Sequence, residues 1–490
     1  MSCRPISPVP TATQSQFRPE SIPRPRASQA FLSAEEIAAW RAPSAGDVDP
    51  DLRRPLRQAL SQHGQLDAGQ TSGRFYPIAC VALEVTQKCN LDCTLCYLSD
   101  HAEMAHDMPL EVLFRRIDTI ERQYGAKTPV QLTGGDPTLR SPEHLERLCR
   151  YIRERGMRSC LMTNGIKATD TLLQRLAKAG LDDVAFHVDL TQDRRGYPTE
   201  VSLDPVRQTY IERAQKAGLR ILFNTTVFEG NIEEMPAVAA FFRRNAAHVT
   251  LASFQMEAIT GRGLVRKHTS GLTRERVTSL LDAGLGTRVN YDVASVGHAS
   301  CTRYGAVLVA GDIAVSALDN SSLFVALLSR MEKHAVFEAA TIRVAPTVCK
   351  ILFRDPVFAL RLTAHLITRL WLLRRGLLTS GGRVHRMSLL LHNFMDAREL
   401  ERDRCESCVF MVATERGLVS MCVHNARRDA DIFAPVRIDT KDGPKWWSAS
   451  TGRTSATPDD SQPEKMPFKR LKGRLRAKAE AGRKKCKTAT

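Results

Sequence analysis

The sequence predicts an α/β fold built on a parallel sheet, and three observations carry that prediction. Short apolar runs alternate with helical patterns from about residue 77 to residue 257. Glycines and polar side chains gather where those runs end. The composition, 43% hydrophobic and 25% charged over 490 residues, is that of a globular chain with room for a large core.

Residues 1–75 read as a weakly ordered leader, with one short helix around Ala34–Trp40. Residues 1–30 are rich in Pro, Ser and Arg and lack the apolar run of a signal peptide, so a cytoplasmic location is expected. Six runs then read as buried strands: Ile78–Thr86, Pro129–Thr133, Ser159–Thr163, Val184–Leu190, Ile221–Val227 and Val249–Gln255. Helical patterns separate them at Pro109–Tyr124, Pro142–Arg155, Asp170–Ala179, Pro205–Ala217 and Glu233–Arg243. Strands that alternate with helices pair in parallel through right-handed crossovers. Six such units suffice for a partial barrel or for an open doubly wound sheet. In a barrel, the site would lie at the carboxyl ends of the strands.

Residues 264–436 are less periodic. They hold strand patterns at Ala306–Val309 and Ile313–Ser316 and a helix near Leu323–Lys333. The best membrane-span candidate is Val357–Leu378, but Arg361, Arg369, Arg374 and Arg375 interrupt it. That pattern reads as an amphipathic helix. It would either pack its apolar stripe on the domain or lie on a membrane with its arginines at headgroup level. Residues 437–490 turn Ser/Thr/Pro/Asp-rich and then basic, and read as a disordered tail. Eleven Lys/Arg against Glu464 and Glu480 between residues 464 and 490 supply about half of the net charge of +17. With Phe468 the only aromatic residue there, no specific nucleic-acid binding is expected.

Thirteen cysteines in clusters look unlike a disulfide framework and point to metal or catalysis. Cys89, Cys93 and Cys96 share a helical spacing, which three buried core cysteines would also show. However, the strand Val81–Thr86 runs straight into them, and Asn90 and Asp92 favour a turn. A loop that wraps a metal at a strand end fits better. Zinc or a closed cluster would want four ligands; three thiolates on a four-iron cluster leave one iron open for chemistry. Thr133-Gly134-Gly135-Asp136-Pro137 follows the second strand, Thr163-Asn164-Gly165 the third, and His187-Val188-Asp189 lies on the fourth. The fifth carries Asn224-Thr225-Thr226, and Thr260-Gly261-Arg262-Gly263 follows the sixth. Each alone could be an ordinary turn or a solvated strand end.

Taken together, Cys-x3-Cys-x2-Cys-Tyr and the strand-end series resemble the radical S-adenosylmethionine (SAM) superfamily over residues 78–263. The resemblance implies a partial (β/α)6 TIM-type barrel at 76–263, followed by a smaller mixed α+β C-terminal domain at 264–436. It makes Cys89, Cys93 and Cys96 the ligands of a [4Fe–4S] cluster whose open iron binds SAM. Reductive cleavage would then yield a 5′-deoxyadenosyl radical that abstracts hydrogen from a lipid, small metabolite or peptide. By the same resemblance, Gly134, Gly135, Asp136 and Pro137 face the SAM amine, with Asp where Glu is commoner. Asn164 and Asp189 would line the site, Asp189 toward the ribose, Thr225 toward the carboxylate and Gly261 near adenine. An electron donor such as flavodoxin or ferredoxin is the implied partner.

Cys405-x2-Cys408, Cys422 and an upstream cysteine could form a second four-thiolate site, with Cys301 preferred to Cys349 because His298 and Arg303 give it polar surroundings. An auxiliary iron–sulfur cluster is the favoured occupant, ahead of zinc or ordinary buried thiols. The His392–Asn425 segment resembles, loosely, the branch of the superfamily that includes archaeal tetraether lipid synthase. The alternative reading is a non-catalytic iron–sulfur or zinc protein with a redox or regulatory role.

Overall fold

The computed structural model describes residues 31–41, 51–262, 272–333, 349–441 and 443–459. Gly263, the first thirty residues and the basic stretch 464–490 lie outside them. The six expected strands form as β1 (Cys80–Thr86), β2 (Pro129–Gly134), β3 (Arg158–Thr163), β4 (Asp183–His187), β5 (Arg220–Val227) and β6 (Val249–Met256). All are parallel neighbours in that order. The crossovers carry α3 (Leu110–Tyr124), α4 (Pro142–Glu154), α5 (Asp170–Ala179), α6 (Asp204–Lys216) and α7 (Met235–Arg244); α1 (Ala34–Ala39) and α2 (Arg54–Gln62) precede the sheet.

Period-two alternation divides the two faces of this sheet. Val81, Leu83, Val130, Leu132, Leu161, Val184, Phe186, Ile221 and Phe223 are buried against the helices. There, rings run from Phe186 to Phe223 and on to Phe242 and Phe254, with centroids 5.2–6.2 Å apart. The other face carries Gln131, Met162, His187, Leu222, Asn224, Leu251 and Gln255, all only half-buried. One face is core; the other lines an accessible hollow.

Five later strands were not foreseen as extensions of this sheet. β10 (His385–Asn393) pairs in parallel with β6, and β8 (Thr302–Ala310) pairs antiparallel with β10. Beyond β8 come β7 (Ala294–Ser295) and β9 (Ile313–Ser316). On the far side β11 (Phe410–Thr414) pairs in parallel with β1, and β12 (Gly417–Ser420) closes that edge. The result is a 12-stranded, mostly parallel sheet, with hydrogen bonds crossing the boundary expected at residue 263. His392 near the end of β10 meets Phe410 at the start of β11 edge-on at 4.8 Å, so the sheet curls until its flanks touch. This is the partial β/α barrel of the expected class, extended at both edges by the mixed α+β segment.

Two segments correct the expected disorder. Residues 436–455 form a separate antiparallel sheet of β13 (Val436–Thr440), β14 (Gly443–Trp447) and β15 (Thr454–Ser455). Trp447, Val436 and Ile438 pack with Ala105 and Val112, an anchor that the polar composition of the segment concealed. Within the expected leader, α2 buries Leu56 and Leu60, and Ser33 caps α1 in a reciprocal capping box with Glu36.

A fully buried ion pair braces the loops around the hollow. Arg207 of α6 donates to Glu200 at 2.5 Å and to the Val188 carbonyl at 3.1 Å. Glu200 in turn accepts from the Leu190 amide and from Asn231. Arg207→Leu leaves Glu200 buried without its cation and should cost about 3–5 kcal/mol. Chemical denaturation should show this as a lower midpoint; an unchanged midpoint would refute the brace.

Candidate functional site

The Cys89–Cys96 loop leaves the carboxyl end of β1, and neighbouring strand ends hold it. Cys89, Cys93 and Cys96 are half-exposed. Burial raises each thiol above its ordinary range, and the three push one another's values up further, so they lie close together. Such thiols stay neutral near pH 7 until a metal displaces their protons. Among the described residues no three His, Cys, Asp or Glu side chains are gathered as the shell of a single metal ion. A polynuclear cluster takes thiols set further apart than one ion's ligands, so these three cysteines fit such a group.

Backbone fixes the loop's base. The Gly135 amide donates to the Thr86 carbonyl and the Asp136 amide to the Lys88 carbonyl, each at 2.8 Å. A Cβ on Gly134 would stand 1.9 Å from the Thr86 oxygen, and one on Gly135 2.0 Å from the Lys88 oxygen. Both glycines are therefore required by the close approach of the chain's own β1 and β2 loops. Pro137 opens a short buried turn. The Tyr97 hydroxyl donates to the Gly134 carbonyl at 2.6 Å, tying the residue after the third cysteine to the same turn.

Two carboxylates expected to face a ligand are engaged within the protein. Asp136, 1% exposed, accepts from Thr138, from the Thr163 hydroxyl at 2.9 Å and from the Asn164 amide at 2.8 Å. Asp189, fully buried, accepts from the Thr226 amide at 2.7 Å, from His187 at 2.6 Å, and from the amide and hydroxyl of Thr191. Each carboxylate closes one strand end onto the next and has little capacity left for a ligand. Asn164 does reach the cysteine loop: its side-chain amide donates to Asn90 at 2.7 Å and lies 4.0 Å from the Cys89 sulfur.

Thr225 falls on the face of β5 that Phe223 and Val227 turn to the helices, and its buried hydroxyl finds no partner. The hollow instead receives Asn224 and Thr226, the latter 3.2 Å from His187. Alternation along β5 places the expected role one residue away from Thr225. Gly261 has a φ of 52°, and a Cβ there would stand 2.3 Å from the Tyr97 oxygen. The Arg262 amide donates to the Cys96 and Leu98 carbonyls at 3.0 Å, and its guanidinium donates to Asp92 at 3.2 Å. The turn after β6 thus lies against the cysteine loop.

Sequence reasoning missed a buried network beneath Tyr97. Glu84 on β1 accepts from Arg428 at 2.5 Å and faces His424 at 3.4 Å, while His424 pairs with Asp431 at 3.0 Å. Burial opposes the charge of Glu84, but Arg428 and His424 hold its carboxyl well below the usual range. Arg428 also lies over the Tyr97 ring at 4.5 Å. The available signal was one acid in the apolar strand Cys80-Val81-Ala82-Leu83-Glu84-Val85.

The second cysteine set also converges. Cys405, Cys408, Cys422 and Cys301 affect one another's ionisation, and burial is the main cause that raises Cys405 and Cys422. Arg404 donates to the Cys301 sulfur at 3.2 Å, and His298 pairs with Asp403 at 3.1 Å. Cys349 is exposed. Cys301 precedes β8 and the other three flank β11 and β12, so the set sits at the seam where the sheet's two flanks meet.

The His187–Asp189 pair gives a pH signature. Burial disfavours both charges, yet His187 helps hold Asp189 at about 2, and Asp189 raises His187. The raised imidazole stabilises below its unfolded value and loses this as pH rises through its folded value. The depressed carboxylate stabilises above its unfolded value and loses this toward its folded one. The contribution is therefore full between about pH 4 and pH 6.5. His187→Gln should lower the thermal midpoint more at about pH 6 than at about pH 9; an equal loss at both would refute the charged pair.

Residues 83–242 match the sequence profile of the Radical SAM superfamily. A 7,8-dihydro-6-hydroxymethylpterin dimethyltransferase of Methanocaldococcus jannaschii is 28% identical over 190 residues, covering 37% of this chain and 36% of the relative. A probable GTP 3′,8-cyclase of Pyrococcus abyssi is 33% identical over 156 residues, covering 31% and 49%. The chain thus spans about a third to a half of the length of these relatives. Among solved structures, the peptide-free anSMEcpe with bound AdoMet is similar at 18% identity and TM-score 0.30, over 36% of this chain and 50% of that one. Streptococcus suis SuiB is similar at 16% identity and TM-score 0.33, over 42% and 46%. With three cysteines on the loop after β1 and that family match over the strands that carry them, the chain belongs to the radical SAM superfamily.

Proposed function

We propose that this protein is a SAM-cleaving enzyme that starts radical chemistry on an organic substrate held in the hollow of the barrel. The observation that carries the reading is the placement of three mutually close thiols at the carboxyl end of β1, beside an accessible, partly polar sheet face. Cys89, Cys93 and Cys96 would hold a [4Fe–4S] cluster. Once reduced, that cluster supplies the electron that cleaves SAM into methionine and a 5′-deoxyadenosyl radical. The chain's own groups bind, orient and exclude water. Asn164 and Arg262 hold the loop; Asn224, Thr226, His187 and Gln255 offer polar contacts along the hollow. Asp136 and Asp189 act as positioning residues, since neither carboxylate is left open to a ligand. The relatives differ in printed activity, from a pterin dimethyltransferase to a PqqA peptide cyclase, so the shared element is the radical-generating barrel. A flavodoxin- or ferredoxin-type donor would supply the electron.

At the seam, Cys301, Cys405, Cys408 and Cys422 would hold a second iron–sulfur cluster. Four thiols from both flanks of the sheet supply a complete ligand set, and Arg404 and His298 beside them offset its negative charge.

Two measurements test these readings. The reconstituted, reduced protein should form 5′-deoxyadenosine from SAM under anaerobic conditions, and Cys93→Ala should abolish it. Bound iron with no cleavage under any reductant or added substrate would favour a redox protein instead. Iron should fall from about eight to about four per chain in either Cys93→Ala or Cys408→Ala; a Cys408→Ala protein with undiminished iron would remove the second cluster.

A further inference from the structure

The helix Pro356–Thr379, α10 after α8 (Arg274–Leu285) and α9 (Ser321–Lys333), has an apolar face on each side, where a surface helix normally has one. Its inner face is accounted for. Phe358 packs with Leu323 and Ile351, and Leu373 with Ala310 and Val315. Gly376 lies so close to β8 that a Cβ would stand 2.0 Å from the Ala310 oxygen. Asp355 caps the helix start and pairs with Arg330.

The opposite face is uncovered. At about 100° per residue, Leu360, Ile367, Trp371 and Leu378 fall within about 40° of one another, opposite Phe358 and Gly376. They are 71%, 60%, 64% and 86% exposed. Val357, Leu366, Leu370 and Leu372 widen the patch, and Phe353 precedes it. Exposed apolar surface on this scale marks a contact site.

Charge identifies what covers it. The helix holds no Asp or Glu and four arginines, with Lys350 and Arg354 before it and Arg383 and Arg386 after it. Asp319 engages Arg369 on the inner side at 2.7 Å. Arg374 and Arg375 border the apolar stripe on either side, and Arg374 lies over the Trp371 ring at 4.3 Å.

We propose that α10 docks this protein onto an anionic phospholipid bilayer, lying in the plane of the interface. Its apolar stripe would sit at the acyl boundary, Trp371 at headgroup depth and the bordering arginines among lipid phosphates. A second copy of the chain fits poorly, because two such helices would oppose arginine to arginine with no carboxylate between. A span fits poorly too, because Phe358, Leu373 and Gly376 would leave β8 and four arginines would enter hydrocarbon. The orientation has a use. β9 runs parallel to the barrel strands, and His365 and Arg369 reach the carbonyls of Ala317 and Ser316 at its end. The first half of α10 therefore lies at the same end of the sheet as the cysteine loop, and docking sets the mouth of the barrel beside the bilayer.

The test is sedimentation of the full chain with vesicles of phosphatidylcholine, with and without phosphatidylglycerol. The protein should bind the anionic vesicles, release as salt rises and leave neutral ones largely unbound. Ile367→Asp/Trp371→Asp should weaken binding at least tenfold while leaving the thermal midpoint unchanged. Arg374→Gln/Arg375→Gln should weaken it roughly fivefold per arginine and carries the same test if the first variant does not fold. Equal binding to neutral vesicles overturns the proposal, as does undiminished binding by both variants, which would shift it to the basic tail. A membrane-bound fraction that resists alkaline carbonate would establish a span. A concentration-dependent dimer that binds no vesicles and dissociates in the aspartate variant would establish self-association.

Discussion

The site depends on buried carboxylates that close the ends of adjacent strands. A parallel strand leaves its last amides and hydroxyls unsatisfied where the chain turns away toward a helix. Asp136 satisfies the end of β3 from the turn after β2, and Asp189 satisfies the end of β5 from the turn after β4. Each bridges to its neighbour with several short hydrogen bonds, which fixes the relative height of the strand ends. The cysteine loop rests on that fixed rim through Asn164, Gly135 and Arg262. A rim free to slide would let three thiols drift relative to one another, and a cluster tolerates little such drift.

This account assigns the acids a different task from the one suggested by their place in the motifs. A sequence shows that an acid stands at a strand end, but not whether its oxygens face a ligand or a neighbouring amide. Glycine is ambiguous in the same way. At Gly134 and Gly135 the approaching group is the backbone of the cysteine loop itself.

The six barrel strands were legible because their buried face is continuous and helices separate them regularly. β11 was not: Phe410–Thr414 is short, and nothing local signals that its partner is β1, over three hundred residues earlier. The antiparallel sheet at 436–455 was hidden for another reason. Its burial rests on a few residues, Trp447, Val436 and Ile438, set among polar ones. The three barrel thiols were readable from spacing and context. The four at the seam were harder, because Cys301 joins them only once the sheet curls. Thr225 shows the limit of motif transfer: a shift of one residue along a strand moves a side chain from the hollow to the core.

The pairing of β11 with β1 also bears on how the chain is made. β1 emerges early from the ribosome, with one edge open and its residues almost entirely apolar. That edge stays uncovered until residues 410–414 have been synthesised, while β2 to β6 can assemble in order on the other side. For most of its synthesis the nascent chain therefore carries a half-built barrel with a sticky flank, the kind of surface that recruits chaperones or mispairs with other chains. Cysteines destined for the seam arrive at the same late stage as the strand that covers it, so metal loading there and closure of the sheet would be a single late event in biogenesis.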